Sequence, residues 1–278
     1  MKLHRFVRFW WPIGTAIVVF GGPVAGVAAA PVPSNGLVVD QTPNPGYYGN
    51  ILRDVAAPGA GDVWAVGVKA TTTSNDTLAV HWNGTSWVPV STPNPAQECQ
   101  DGDILWAGQS LNGVAGVSSN DVWAVGGGCY GIDPLIEHWN GTAWSIVASP
   151  PLRIDGGDAW GTLSDVAAIS STNVWCVGTQ SAGDYEGLVE HWGGSNWTVA
   201  SDASPAGSYL TSVSATGPSD VWAVGGTDPN HNFVEHWNGR AGALSPRHSP
   251  RVEQPRFGSC DLAHGRLGGW IDDRLDRR

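Results

Sequence analysis

Basic residues are scarce in the central part of this 278-residue sequence. Between residues 31 and 239 only Arg53, Lys69 and Arg153 are basic, against 20 acidic residues. A protein binds the phosphate backbone of a nucleic acid mainly through Lys and Arg side chains. The composition therefore argues against a nucleic-acid partner.

Residues that favour helices are also rare, and so are cysteines. There are one Met and two Lys, but 38 Gly, 19 Pro and 16 Trp, a mixture typical of many short strands joined by turns. None of the four Cys has the spacing of a zinc site. We predict an all-β chain with no metal and no cofactor.

Long apolar runs are missing except at the N-terminus. Lys2, Arg5 and Arg8 precede the apolar run Phe9–Phe20, which is too short for an ordinary membrane span. A basic start, a short apolar run and small residues are typical of a secretory signal. We predict a signal peptide at residues 1–30 and a secreted protein that leaves the membrane after cleavage; an uncleaved anchor is the alternative.

Two motifs recur in the same order four times, and a third follows them in three of the repeats. A DVWAVG-like segment is followed by an HWNG-like segment, and in the first three repeats a Trp lies six residues after the His. An apolar segment precedes each DVWAVG. The four segments, named a to d in chain order, predict four strands per repeat. The repeats cover approximately residues 50–92, 109–150, 161–202 and 208–239.

The spacing between motifs separates two kinds of connection. The leading Leu of segment a always lies 12 residues before the Trp of segment b, as in Leu52 and Trp64. In contrast, the b-to-c distances are 14, 12, 13 and 11 residues, and the d-to-a distances are 24, 19 and 13. Turns of constant length set strand register, whereas loops vary freely. In a four-stranded meander all the variable loops therefore share one end, which we predict to be the recognition face.

The repeat resembles the kelch-like repeats of bacterial exported proteins with tandem DVWAVG and HWNGTSW units. The resemblance covers approximately residues 37–239 and implies a β-propeller of about four four-stranded blades. It implies little about activity. The small number of repeats suggests an incomplete ring, and the last 39 residues depart from the pattern.

The two ends of the repeat region lead to two further predictions. Segment d is missing from the fourth repeat, while residues 37–42 match the end of repeat 1 and are predicted to pair with the last blade. Residues 240–278 form an Arg-rich, irregular tail. Bases that encode Gly242–Arg251 can, in a shifted frame, encode WSIVPKTFPK, which matches the missing segment d. We therefore hypothesise a frameshift.

The cysteines and histidines have mainly structural interpretations. Cys99 and Cys129 fall in variable loops of neighbouring blades and are predicted to form a disulfide, with two free thiols as the alternative. Cys176 replaces Ala inside a strand, and Cys260 lies in the tail. The HW histidines sit on separate blades, which favours packing over metal binding. They are His81, His138, His191 and His236.

An aromatic residue precedes segment a in every repeat. These residues are candidate ligand-binding platforms around the channel mouth, or a plug for it. They are Tyr48, Trp106, Trp160 and Tyr209.

Asp54 and Asp165 occupy matching positions and raise the alternative of a hydrolase or lyase with carboxylates at the channel mouth. Structural hydrogen bonding is the simpler interpretation, and no catalytic residue is assigned. We therefore expect an extracellular, non-catalytic binding or scaffold propeller that presents its variable loops to a protein or carbohydrate. A truncated product without function is the remaining alternative.

Overall fold

The structure is a computed structural model and describes residues 39–94, 108–128, 133–154, 157–200, 204–228, 231–240 and 247–248. The predicted signal peptide, the proposed disulfide of Cys99 and Cys129, and Trp106 lie outside these residues, as does the tail apart from residues 240, 247 and 248. The described residues contain 18 strands and no helix, so none of them belongs to a helix that could span a membrane.

Four antiparallel sheets of four strands each follow one another along the chain. Blade 1 contains β1 (Gly49–Gly59), β2 (Asp62–Ala70), β3 (Asn75–Trp82) and β4 (Trp87–Val90). Blade 2 contains β5 (Ser110–Ser118), β6 (Asp121–Gly127), β7 (Pro134–Trp139) and β8 (Trp144–Ile146).

The third and fourth sheets repeat this order. Between blades 2 and 3, a small hairpin pairs β9 (Arg153–Ile154) with β10 (Gly157–Asp158). Blade 3 contains β11 (Trp160–Ser170), β12 (Asn173–Ser181), β13 (Tyr185–Trp192) and β14 (Trp197–Val199). Blade 4 contains β15 (Tyr209–Gly217), β16 (Asp220–Asp228), β17 (His231–Trp237) and β18 (Arg247–His248).

The predicted all-β propeller of four-stranded blades is confirmed. In each blade the strands pair in sequence order, so the variable b–c and d–a connections share one end, here called the variable-loop end. The a–b and c–d hairpins share the other end, here called the turn end. The first strands of consecutive blades contact one another, β1 with β5, β5 with β11 and β11 with β15, and form the inner wall.

The Gly of each DVWAVG motif is required by the pairing of segments a and b. A Cβ on Gly126 would lie 1.9 Å from the carbonyl oxygen of Ser110, and similar close approaches occur at Gly67, Gly178 and Gly225. At each of these places strand a has a register shift next to its leading Leu, as between Leu111 and Gly113. The bulge brings the strand backbones too close for any side chain.

The core consists of three apolar layers between consecutive blades. Each layer joins segments b and c of one blade to segments a, b and c of the next, for example Val66 and Ala79 with Leu111 and Val114. The other two layers repeat this arrangement between blades 2 and 3 and between blades 3 and 4. Because blades 2 and 3 are covered on both faces by these layers, their strands are almost continuously apolar.

The last blade closes differently from the prediction. Residues 39–42 form no strand, residues 37 and 38 lie outside the described part, and the fourth strand of blade 4 is β18. β18 follows β17 closely along the chain, which makes this pairing a local hairpin. Its register is unusual: Ala79 pairs with Val90, 11 residues later, whereas the matching Val234 pairs with Arg247, 13 residues later. The hairpin of blade 4 is two residues longer.

Candidate binding pocket

A pocket of about 780 Å³ opens at the variable-loop end, where the inner strands of blades 1 and 2 meet. Its walls come from the start of β1 and the end of β2, from the starts of β3 and β5, and from the end of β6. Thr162 of blade 3 also contributes. The polar side chains in its wall are those of Tyr48, Asn50, Arg53, Asn75, Gln109, Ser110, Asn112 and Thr162.

Arg53 is held in the wall by the second blade. Its Nη1 donates a hydrogen bond to Oδ1 of Asn112, which also accepts one from Ser110 Oγ at 3.2 Å. Asn112 Nδ2 donates in turn to the carbonyl oxygen of Leu163 in blade 3, at 2.7 Å. The guanidinium is exposed, and among the described residues its remaining N–H groups have no other partner, so they can meet a ligand.

Tyr48 lines the same pocket and directly precedes β1. Its backbone N–H donates to the carbonyl oxygen of Ala70 at 3.1 Å, which ties the residue to the end of β2. Asn50 Oδ1 accepts a hydrogen bond from Gly46 N–H at 2.8 Å, so the preceding loop turns back over the strand. The ring of Tyr48 meets Tyr47 edge to face and remains exposed.

The far wall is fixed by the returning d–a connection. Gly108 bridges Asn75 in parallel, and Gln109 N–H donates to the carbonyl oxygen of Asn75 at 2.9 Å. A Cβ on Gly108 would lie 2.3 Å from the Cβ of Asn75, so this approach requires Gly. Backbone contacts thus position the amides of Asn75 and Gln109 on the pocket wall.

The structure divides the aromatic candidates. Tyr48 lines the pocket, whereas Trp160 and Tyr209 start β11 and β15 at the same end of the molecule but outside it. Trp160 packs edge to face against Tyr185, with ring centroids 5.7 Å apart. Both Trp160 and Tyr209 remain partly exposed.

Arg53 and Asn112 are not among the predicted site residues, although the sequence contains a signal for them. Both residues directly follow the leading Leu of segment a, where blades 3 and 4 have Ser164 and Thr211. This position changes in every repeat while its neighbours stay constant. A polar residue that varies inside an otherwise constant motif is the sequence signal that indicates these pocket residues.

The candidate carboxylates serve the blade junctions. Asp54 accepts hydrogen bonds from the backbone N–H groups of Val55 and Val114, at 2.8 and 2.7 Å. Asp165 likewise accepts from Val166 and Val213. Both carboxylates thus accept structural hydrogen bonds from the backbone. They do not form with each other the proton-sharing pair that a hydrolase would use.

In every blade the Trp and His of the repeated motifs lie together near the turn end, beside an Asp in blades 1, 2 and 4 and beside Asn173 in blade 3. Trp123 stacks on His138 with ring centroids 4.2 Å apart. Asp121 Oδ1 accepts from both, from Trp123 Nε1 at 3.1 Å and from His138 Nε2 at 2.8 Å. Within the described residues no three His, Cys, Asp or Glu side chains converge as a metal site would require.

Buried carboxyl groups recur in segment c of blades 2, 3 and 4. Glu137, Glu190 and Glu235 are fully buried. Burial raises the pKa of Glu137 to about 8, and the nearby hydroxyl of Thr77 opposes the rise. Burial also raises the pKa of Glu190 to about 7, opposed by the hydroxyl of Ser149, which donates to Oε1 at 2.8 Å. Cys176, beside Glu190, is a buried free thiol whose pKa is raised by burial.

No protein-family model and no curated protein matches the sequence. Similar solved structures include the Trypanosoma rangeli sialidase in complex with sialic acid, with 12% identity over 72% of this chain and 37% of that one and a TM-score of 0.51. The fucose-specific lectin from Aleuria aurantia has 13% identity over 67% of this chain and 56% of that one, with a TM-score of 0.44.

A third similar structure is YCF48 bound to D1 peptide, with 13% identity over 67% of this chain and 65% of that one and a TM-score of 0.35. This chain spans between about a third and two thirds of the length of these three proteins. At such identities the likeness concerns the fold: the chain is a β-propeller protein.

Proposed function

We propose that this chain is an exported, non-catalytic binding propeller that takes a carbohydrate in the pocket between blades 1 and 2. The observation that carries the proposal is the combination in one wall of an exposed Tyr48 ring, the Arg53 guanidinium and several amides. An aromatic ring offers a flat apolar surface to one face of a sugar. Guanidinium and amide groups supply the fixed donors and acceptors that hydroxyl groups need.

The charge of Arg53 narrows the class of ligand. It is one of only three basic residues between positions 31 and 239. A guanidinium binds a carboxylate in two-point geometry, so a saccharide with an acidic substituent would gain a charge-assisted hydrogen bond here. The acidic remainder of the surface would repel such a ligand everywhere else. We therefore place the acidic group of the ligand at Arg53.

Export is part of the proposal and depends on the basic and apolar pattern of residues 1–30. A binding site for extracellular saccharides fits a secreted chain. Detection of the mature protein outside the cell, with an N-terminus near residue 31, would test it.

Binding is tested with a glycan array of neutral and acidic saccharides, followed by calorimetry on the best ligand. Arg53→Ala should lower the affinity about 10-fold or more, because a hydrogen bond to a charged group contributes about 1.5–3 kcal/mol. Tyr48→Ala should also lower the affinity, because the sugar loses the flat apolar surface of the ring. Arg153→Ala and Tyr209→Ala are matched controls outside the pocket. Equal affinities in all four variants would place the ligand elsewhere, and a chain that binds only peptides would refute the carbohydrate assignment.

A further inference from the structure

The same apolar contact joins blades 1 and 2, blades 2 and 3, and blades 3 and 4. One side, here called the leading face, contains the segment-b Trp and the Val two residues later. The other side, here called the trailing face, contains the leading Leu of segment a and the Val three residues later. The pairs Val66 with Val114, Val125 with Val166, and Val177 with Val213 lie in the three core layers.

These positions are buried at every internal junction. The leading Leu is fully buried in blades 2, 3 and 4, and the segment-b Trp is at most 4% exposed in blades 1, 2 and 3. Each of these Trp rings also packs against a Trp of the following blade, as Trp64 does against Trp139 and Trp144. At each internal junction the leading face of one blade thus packs against a Trp-rich trailing face of the next blade.

The two ends of the chain of blades expose the two halves of this contact. On the trailing face of blade 1, Leu52 is 39% and Val55 61% exposed. On the leading face of blade 4, Trp222 is 37% and Val224 41% exposed. The exposed strip of blade 1 follows the inner strand, because Ala65, Leu78 and Val80 farther out are buried.

Both end faces already have the internal arrangement of a junction. Trp222 stacks on His236 with ring centroids 3.9 Å apart, as Trp64 stacks on His81 at 4.3 Å. In blade 1, Trp82 and Trp87 lie 5.9 Å apart, like Trp139 and Trp144 at 6.0 Å. Each face is therefore shaped for the other, but the single chain leaves them apart.

We propose that a second copy of this chain covers both faces. The leading face of blade 4 in one copy packs on the trailing face of blade 1 in the other, and the reverse contact forms at the same time. A head-to-tail contact of this kind closes into a ring when its rotation allows. Two four-bladed arcs then form one twofold ring, and each new contact repeats, along the inner strands, the three that already exist within the chain.

Charge makes the association dependent on salt. Residues 31–239 of each copy contain 20 acidic and three basic residues, so the copies repel each other at low ionic strength. The contact itself is apolar. We expect the dimer to strengthen as salt increases, whereas an association through ion pairs would weaken.

The mass of the full chain in solution tests the proposal. Light scattering should give twice the chain mass at micromolar concentration, and Val55→Glu or Val224→Glu should each shift the equilibrium to the monomer. Both side chains are exposed in the single chain, so circular dichroism should stay unchanged. Val199→Glu, at a position 44% exposed on β14, is the matched control. A monomer at all salt concentrations would overturn the proposal.

Cysteine variants distinguish the possible contacts. A mixture of Val55→Cys and Val224→Cys chains should form a disulfide-linked pair, while each variant alone should not. Cross-linking between two Val55→Cys chains would show a dimer in which the two blade 1 trailing faces contact each other. An internal cross-link in the double variant, without an increase in mass, would show that one chain closes on itself. Either result contradicts the two-chain ring, and the unmodified chain controls for the native cysteines.

Discussion

The carboxylate of Asp54 in blade 1 accepts a 2.7 Å hydrogen bond from the backbone N–H of Val114 in blade 2. The same contact joins Asp165 to Val213 between blades 3 and 4, at 2.9 Å. Between blades 2 and 3 the matching position is Gly113, and Asn112 instead donates to the carbonyl oxygen of Leu163. A polar side chain in the bulge or directly after it therefore ties each of these inner strands to the next.

Removing the Asp54 carboxylate should destabilise the first junction. Asp54→Ala leaves the N–H of Val114 without its acceptor, and we expect the free energy of unfolding to fall by about 1.5–3 kcal/mol. Urea denaturation followed by Trp fluorescence measures the change. Asp184→Ala, at an exposed position in a b–c loop of blade 3, should change it by less than about 0.5 kcal/mol. Equal effects of the two variants would contradict the junction role.

The Asp-Trp-His cluster predicts a contrast between two substitutions of Asp121. Asp121→Ala removes the acceptor shared by Trp123 and His138 and should cost about 2–3 kcal/mol. Asp121→Asn should cost much less, because Asn173 fills the same role in blade 3, accepting from Trp175 Nε1 and His191 Nε2 at 2.9 Å each. Thermal unfolding of both variants provides the comparison. If Asn were as damaging as Ala, the cluster would require the carboxylate charge.

The close approach at the DVWAVG glycine predicts an intolerant site. In Gly126→Ala the new Cβ would meet the Ser110 carbonyl oxygen, and strand a cannot retreat because Leu111 is fully buried behind it. We expect a loss of more than about 3 kcal/mol, or failure to fold. Gly193→Ala is the control, since a Cβ there has no neighbour within 4 Å. The folding yield and the denaturation midpoint of the two variants test this prediction. Equal midpoints would contradict the steric argument.

The repeat made the architecture predictable because it acts at short range. A two-residue a–b turn and a four-residue c–d turn separate the strands of every complete blade, so constant spacing translates directly into register. The clusters of Asp121, Trp123 and His138 and their equivalents explain why those residues recur together. The repeated motif, the constant turn lengths and the contacts within each cluster therefore all depend on the same local geometry.

The pocket and the last hairpin could not be predicted from the repeat, because they depend on contacts between blades or on a segment outside the repeated motif. Arg53 and Asn112 are 59 residues apart and meet only because the two inner strands lie side by side. β18 pairs in a register two residues longer than that of its equivalents, and the segment between β17 and β18 lacks the Trp that aligns the other hairpins. A site built across blades, or from a segment outside the motif, leaves little local pattern to find.

The buried Glu137 and Glu190 predict a stability that falls as the pH rises. The pKa of Glu137 is raised to about 8, far above that of a carboxyl group in the unfolded chain, about 4.3. Between these pH values the unfolded chain releases the proton that the folded chain retains. The free energy of unfolding therefore falls as the pH rises, by up to about 1.4 kcal/mol per pH unit for each group. For Glu190 the window ends near pH 7, because its pKa is raised to about 7.

Glu137→Gln keeps the shape of the side chain and removes the titration. The variant should match the unmodified protein near pH 4 and exceed its stability near pH 8 by a margin on the order of 1–3 kcal/mol. Urea denaturation at pH 4, 6 and 8 measures this margin, and Glu186→Gln at a half-buried position serves as the control. An unmodified protein whose stability rises between pH 4 and 8, with the same slope in Glu137→Gln, would show that this carboxyl group does not govern the pH dependence.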